Sequence, residues 1–321
     1  MDDATLNPQA DDSQERGADL GEILEHLVAE LGALQGTPEP LDGGITNRNF
    51  RARLGGCEYV IRVPGKDTAL LGIDREAERV ANDRAAGIGI APAVAAFIEI
   101  PACIVTEFVE GDSLSSKELR GRGQIDAVAG ALRSLHDLDQ PLRSRFDSVR
   151  IVEEYAQVAT ERGAELPREY LPALARAREI GEALTGPEHE PVPCHNDLLA
   201  ANLLLDGDNL CIVDWEYAGM GNRYFDLGNF AVNNGLDEDA EATLLEAYFG
   251  EPPDARRLAC LRLMRFMSDF REAMWGGVQS AVSDMDFDFD GYAAEHFERL
   301  RETAADPRFR TWLKDARASH A

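Results

Sequence analysis

The chain has 321 residues, a length that suits two closely packed lobes rather than one small module, and its 44% of hydrophobic residues can form a sizeable core, which excludes wholesale disorder. The 59 Asp and Glu against 32 Lys and Arg give a formal net charge of −27. Such a surface repels phosphate backbones and anionic lipid, so nucleic acid and membrane are poor partners for it. Cys57, Cys103, Cys194, Cys211 and Cys260 are odd in number, scattered and without a C-x-x-C pair, which argues against a disulfide scaffold or a structural zinc site. No apolar run approaches ~18 residues, and the N-terminus is acidic rather than basic; a cytoplasmic soluble protein is expected.

Residues 1–19 read as an acidic mobile tail. Leu20, Ile23, Leu24, Leu27 and Leu31 then recur at helical spacing, and Gly36 to Pro40 breaks the chain. From Leu41 to Val63 alternation predicts two strands joined at Gly55-Gly56. A helix over Asp74 to Ala86 and short strands at Val94–Ile98 and Ala102–Phe108 complete a small β-rich lobe over residues 20–110. Residues 111–321 read as a larger α-rich lobe. Its helices are predicted at Ile125–Leu138, Val152–Arg162, Tyr170–Leu184, Leu236–Phe249, Ala255–Val282 and Tyr292–Arg301. A hairpin pairs Asn202–Leu205 with Leu210–Val213.

The chemistry is concentrated in and after that hairpin's approach. Phosphoryl transfer needs a carboxylate at the acceptor hydroxyl and oxygen ligands for Mg²⁺ between the phosphates. His195, Asp197 and Asn202 form an H-x-D-x-x-x-x-N pattern, in which the Asn can return to the cleft of the Asp, and Asp214 follows the hairpin. Two glycine patterns are rejected. The run Gly87-Ile88-Gly89-Ile90-Ala91-Pro92 lacks the third glycine of a dinucleotide turn, and no G-x-x-x-x-G-K-[ST] occurs.

On the segments Gly43 to Phe50, Val60 to Gly65, His195 to Asn202, Asp214 to Tyr217 and Phe225-Asp226-Leu227, the chain resembles the choline kinase and aminoglycoside phosphotransferase superfamily, nearest its choline/ethanolamine kinase branch. The resemblance implies an α+β, protein-kinase-like two-lobed fold. It implies Asp197 as catalytic base or hydroxyl-orienting group, His195 as brace of the catalytic loop, and Asn202 and Asp214 as Mg²⁺ ligands. For ATP it implies Gly43, Gly44, Thr46 and Asn47 near the phosphates. Arg62 would grip phosphate oxygens, held by Glu78, with Glu76 as competitor. The connector Glu107-Phe108-Val109 would present backbone groups to adenine.

For the acceptor, the resemblance points to Tyr217 and Trp275. On the helix Ala255–Val282, Ser268, Glu272, Trp275 and Gln279 form a stripe beside the apolar one, suited to face a cleft. The expected activity is ATP- and Mg²⁺-dependent phosphorylation of a small cationic amino alcohol, choline or ethanolamine. An aminoglycoside or other small-molecule O-phosphotransferase is the alternative, and a catalytically silent nucleotide-binding protein a third. One departure weakens choline specifically. Where eukaryotic choline kinases place an acidic residue seven positions after the Asp226 equivalent, this chain has Asn233. Asp226 itself is expected to anchor the loop–helix junction.

Overall fold

Helix α1 (Leu20–Leu31) begins where the Asp19 side chain accepts the Gly21 N–H at 2.8 Å, and its buried residues, Ile23 and Leu27, are one helical turn apart. The computed structural model describes residues 19–41, 46–65, 68–100, 102–206, 209–283 and 285–317. Strands β1 (Leu34–Leu41), β2 (Asn47–Leu54), β3 (Cys57–Pro64), β4 (Val94–Ile98) and β5 (Cys103–Glu107) form an antiparallel sheet in the order β1-β2-β3-β5-β4. Ile23 and Leu27 bury against Ala52, Leu54, Ile61, Val63 and Val105 of this sheet. The helix docks closely because two glycines meet. A Cβ on Gly32, at φ 98°, would stand 2.9 Å from the Cα of Gly55.

The expected break at Gly36 to Pro40 is instead part of β1. This strand lies at the sheet edge and its register shifts between Gln35 and Glu39. Pro38 and Pro40 lack an N–H, which an edge strand tolerates because only one side is paired.

Helix α2 (Arg75–Gly87) follows, capped by Asp74. The turn before it and its inner face, through Leu71, Ile73, Ala81, Ala85 and Ile90, belong to the core of the larger lobe rather than to the sheet's core. Beyond the sheet come β6 (Asp112–Ser113), α3 (Ser116–Leu119), α4 (Arg122–His136), α5 (Ser148–Glu161) and α6 (Tyr170–Ala183). Strand β7 (Val192–Cys194) and the hairpin β8 (Leu203–Asp206) and β9 (Asn209–Ile212) flank the 195–202 loop, and β10 (Gly219–Gly221) pairs with β7. Helices α7 (Arg223–Asn233), α8 (Glu238–Phe249), α9 (Ala255–Val282), α10 (Phe289–Ala305) and α11 (Phe309–Arg317) complete the fold. The protein-kinase-like α+β architecture that the resemblance implies is therefore present.

Helix α9, 28 residues and roughly 42 Å long, is the spine against which α5, α7, α10 and α11 pack. Its boundaries are those the periodicity predicts. Three helices were not legible, the first being α3, whose four residues are too few to show a period. In α7, Gly228 and Asn229 weaken local propensity, and burial from Tyr224 through Val232 erases any amphipathic stripe. In α11 the stripe of Phe309, Trp312, Leu313 and Ala316 is clear but only 9 residues long. Helix α10 starts earlier than its spacing suggests, because Asp288 caps it by accepting the Gly291 N–H at 2.8 Å.

Candidate active site

The 195–202 loop is held from below by α7. The carboxylate of Asp226, wholly buried, accepts the backbone N–H of His195 at 2.9 Å and of Asn196 at 2.7 Å. It also takes the Nε2–H of His136 at 3.0 Å, while His136 Nδ1 accepts from the Tyr248 hydroxyl at 2.7 Å. Asn229, one turn on, accepts the Leu198 N–H and donates to Ser268 of α9 at 2.9 Å. Helix α7 can present both side chains because Gly228 lets it lie on α9. A Cβ there would stand 2.8 Å from the Arg265 nitrogen and the Met264 carbonyl carbon.

On this support the chain turns through Asn196 at φ 68°, in the left-handed region, with its amide donating to the Tyr217 carbonyl at 3.0 Å. The Asp197 N–H donates to His195 Nδ1 at 3.2 Å, and His195 Nε2–H donates to the Val213 carbonyl at 3.1 Å. Burial pushes the His195 imidazole below its ordinary value despite the nearby carboxylates, and its ring stands edge-on to Trp215. It is a neutral brace between the loop and the residue before Asp214. Asn202 donates to the Asp197 carbonyl at 2.9 Å and to its carboxylate at 3.3 Å. With Nδ2 so spent, the amide oxygen is what Asn202 can offer a ligand.

Asp214 also sits at φ 68° and is ion-paired with Arg62 from β3. Burial opposes its ionisation, but the Arg62 guanidinium outweighs that and holds the carboxyl below its usual value. An amide oxygen and an ionised carboxylate are hard donors, so Asn202 and Asp214 fit Mg²⁺ by chemistry. Arg62 reaches Glu78 of α2 at 3.3 Å, whereas Glu76 pairs outward with Arg79 and Arg143.

A second arginine continues the network. Arg75 bonds Glu78 at 2.6 Å, Glu216 at 3.0 Å and the Asn47 amide oxygen at 2.6 Å, and Asn47 donates to Glu216 at 2.8 Å. Asn47 is therefore not at an open loop tip; its buried amide ties β2 through nitrogen to Glu216, after β9, and through oxygen to Arg75 of α2. Burial first, then the charge of Asp214, pushes the Glu216 carboxyl up to about 7. Thr46 lies beside Gly65, whose lack of a side chain admits the Thr46 carbonyl. Gly43 and Gly44 lie outside the described residues. Glu107 ends β5, its N–H donating to the Ala93 carbonyl at 2.9 Å, and Val109 follows it in the segment leading to β6.

On the other side of Asp197, α9 contributes a cluster. Arg271 bonds Glu272 at 2.6 Å, stands 3.5 Å from the Asp197 carboxylate and lies over the Tyr217 ring, 4.0 Å from its centroid. The Tyr292 hydroxyl donates to Glu272 at 2.8 Å, and Trp275 Nε1–H donates to the Tyr217 hydroxyl at 2.9 Å. Trp275 is buried, edge-on to Phe289 and Tyr292. Burial raises the Asp197 carboxyl well above the usual carboxylate range, and Arg271 only partly offsets it. At Glu272 burial also acts to raise the carboxyl, but Arg271 prevails and it lies below its ordinary value.

The structure thus brings Asp197, His195, Asn202, Asp214, Arg62 and Glu78 to one place, with Tyr217, Glu272 and Trp275 beside them. Arg75, Arg271 and Tyr292 went unrecognised in the sequence. The available signal was a charge on a buried stripe: Arg271 lies one turn after Met267 and one before Trp275 on α9.

A family model described as the phosphotransferase enzyme family matches residues 37–261. The chain belongs to the phosphotransferase enzyme family. Protein LicA of Haemophilus influenzae is 27% identical over 214 residues, which cover 64% of this chain and 61% of LicA, under two thirds of that relative's length. Ethanolamine kinase 2 of Mus musculus is 28% identical over 273 residues, 75% of this chain and 68% of that protein. Among solved structures, a choline/ethanolamine kinase family protein from Mesorhizobium loti has a TM-score of 0.78 at 29% identity, covering 92% of this chain and 99% of that one. An ADP-bound aminoglycoside phosphotransferase shares the fold, with a TM-score of 0.60 at 16% identity, covering 88% and 97% of the two chains. In this phosphotransferase-family chain Asp197, Asn202 and Asp214 fall inside the matched segment; Arg271, Trp275 and Tyr292 lie beyond it. Among the described residues no helix is long and apolar enough to cross a membrane.

Proposed function

We propose that the chain transfers the γ-phosphoryl group of ATP to the hydroxyl of a small amine-bearing alcohol, with choline and ethanolamine the first acceptors to test. The observation that carries this reading is the convergence of Asp197, Asn202, Asp214 and Arg62 from two lobes around one space. Asp197 orients the attacking hydroxyl. Its oxygen forms the new bond to phosphorus as the bridging bond to ADP breaks, and its proton passes to the Asp197 carboxylate. That carboxylate's raised proton affinity suits the task. His195 braces the loop without transferring a proton.

Asn202 and Asp214 would hold Mg²⁺, which when bound neutralises phosphate charge. Arg62 turns from Asp214 to the phosphates, steadied by Glu78, and a planar guanidinium can serve both. Thr46 lies by the phosphates, and the Glu107–Val109 backbone meets adenine. Asn47 acts by tying the lobes together rather than by touching phosphate. Glu272, with Tyr217 and Trp275, forms the acceptor wall, and the burial of Glu272 and Trp275 favours a small acceptor over a large polyamine. The relatives named as ethanolamine kinases support an amine on it. A cytoplasmic setting, where ATP is abundant, accords with five free cysteines.

The test is ADP release from ATP and Mg²⁺ across choline, ethanolamine and several aminoglycosides, in wild type and Asp197→Asn. Asp197→Asn keeps nucleotide affinity and loses roughly 10²–10⁴-fold in kcat. A folded variant with near wild-type kcat refutes the assignment of Asp197. Turnover of aminoglycosides alone moves the acceptor class, and nucleotide binding with no transfer to any acceptor leaves a silent nucleotide-binding protein.

A further inference from the structure

Among the described residues, Arg271 is a buried charge whose pairing is incomplete. It is 1% exposed, in the middle of α9, and only Nη1 is engaged, by Glu272 and more distantly by Asp197. Its Nε and Nη2 are buried without a hydrogen-bond partner. The charge of Arg271 answers Glu272 and Asp197, but that pairing uses Nη1 alone and does not call for two further buried donors without partners. Buried donors left open beside a reactive carboxylate are a common mark of a recognition site.

The complement of those donors is an oxygen anion. An ammonium head carries only donors, or methyl groups, and cannot satisfy Nε or Nη2. One face of the Tyr217 ring is moreover already taken by the Arg271 guanidinium, 4.0 Å from the centroid. A carboxylate, by contrast, matches two N–H groups of one guanidinium fork. Glu272, oriented by the Tyr292 hydroxyl at 2.8 Å, remains beside it to receive an amine. The pair Arg271 and Glu272, bonded to each other at 2.6 Å, thus offers one site for each charge of a zwitterion. A zwitterion adds no net charge to a site that already holds Asp197 and Glu272 against a single arginine.

We propose that Arg271 selects the acceptor, and that the acceptor is an amino alcohol which also carries a carboxylate placed on Arg271 Nε and Nη2. This rests on the phosphotransferase reading above and narrows its acceptor. The reacting group remains the hydroxyl, presented to Asp197.

The experiment sets acceptors without and with a carboxylate side by side: ethanolamine with L-serine and L-homoserine, and choline with carnitine. ADP release is measured for the full chain in wild type, Arg271→Leu and Arg271→Lys. In wild type the carboxylated member of at least one pair has kcat/KM about ten-fold or more above its partner. Arg271→Leu lowers that value through acceptor KM by roughly 10²-fold more than it lowers the uncarboxylated partner's, which also loses because Asp197 and Glu272 lose their cation, with ATP KM unchanged. Arg271→Lys recovers part of the loss, because it keeps the charge without the fork. Should Arg271→Leu not fold, the wild-type preference within pairs decides the matter.

Wild-type turnover of choline or ethanolamine in preference to every carboxylated partner overturns this inference and leaves the amino-alcohol reading intact. An equal loss on both members of each pair in Arg271→Leu also overturns it, since that is the signature of a structural residue. Turnover of neither set overturns both readings together.

Discussion

Asp226→Asn tests how the catalytic loop is held. The substitution keeps shape and volume and removes one acceptor oxygen where three donors meet: the His195 and Asn196 backbone N–H groups at 2.9 and 2.7 Å and His136 Nε2–H at 3.0 Å. If the new NH₂ replaces Oδ1, it confronts the Asn196 N–H. If it replaces Oδ2, it confronts the His195 N–H, and His136 must change tautomer to avoid a second clash. In either case at least one charge-assisted bond is lost and one buried backbone donor is orphaned. A bond to a charged group is worth about 1.5–3 kcal/mol and a buried unpaired donor costs about 1–3 kcal/mol; the two count partly the same loss, so the destabilisation is less than their sum, about 2–4 kcal/mol. The loop should feel the change before the fold does, because Asn196 is held at φ 68° by these bonds and Asp197 is the next residue. Release of that turn misplaces the Asp197 carboxylate, and an error on the order of 1 Å costs about 10²-fold in rate. Urea unfolding gives the first quantity and kcat with saturating ATP and acceptor gives the second. A variant within about 0.5 kcal/mol of wild type with unaltered kcat would falsify the claim that α7 positions the loop through this carboxylate.

Arg62→Lys keeps the charge yet lacks the planar fork that serves Glu78 and a phosphate together, so KM for ATP rises while acceptor KM is little changed; steady-state kinetics with each substrate varied in turn checks this, and an unaltered ATP KM counts against it. Gly228→Ala places a Cβ 2.8 Å from the α9 backbone and destabilises by about 1–3 kcal/mol in denaturant titration, whereas an unchanged midpoint means the two helices can separate at no cost. Trp275→Phe loses the bond to the Tyr217 hydroxyl, for about 1 kcal/mol, but retains an aromatic neighbour for Phe289 and Tyr292, so it unfolds at higher urea than Trp275→Leu. Equal midpoints for the two would show that the aromatic edges contribute nothing.

What could be read from the order of residues was the chemistry whose parts are close in sequence. Asp197 and Asn202 meet because they are five apart across one turn, and Asp214 follows a hairpin whose ends the alternation of apolar residues marks. Helix α9 was legible in full because its apolar stripe repeats over 28 residues and Asp254 caps it. Local geometry and burial demand the same residues in those places, so the pattern and the structure coincide. The partners of these groups are set by long-range packing and leave no local trace. Asp226 reaches back 31 residues to His195, Arg75 lies 141 residues from Glu216, and Asn47 lies 169 residues from that same carboxylate. Helix α7, buried on nearly every side, has no polar face to give it a period, and the prolines of β1 signal a break until an edge position makes them acceptable. Arg271 shows the division most plainly. In sequence it is one basic residue on a long helix, and only the packing of α9 against the 195–202 loop and Tyr217 turns it into a buried cation beside the candidate base.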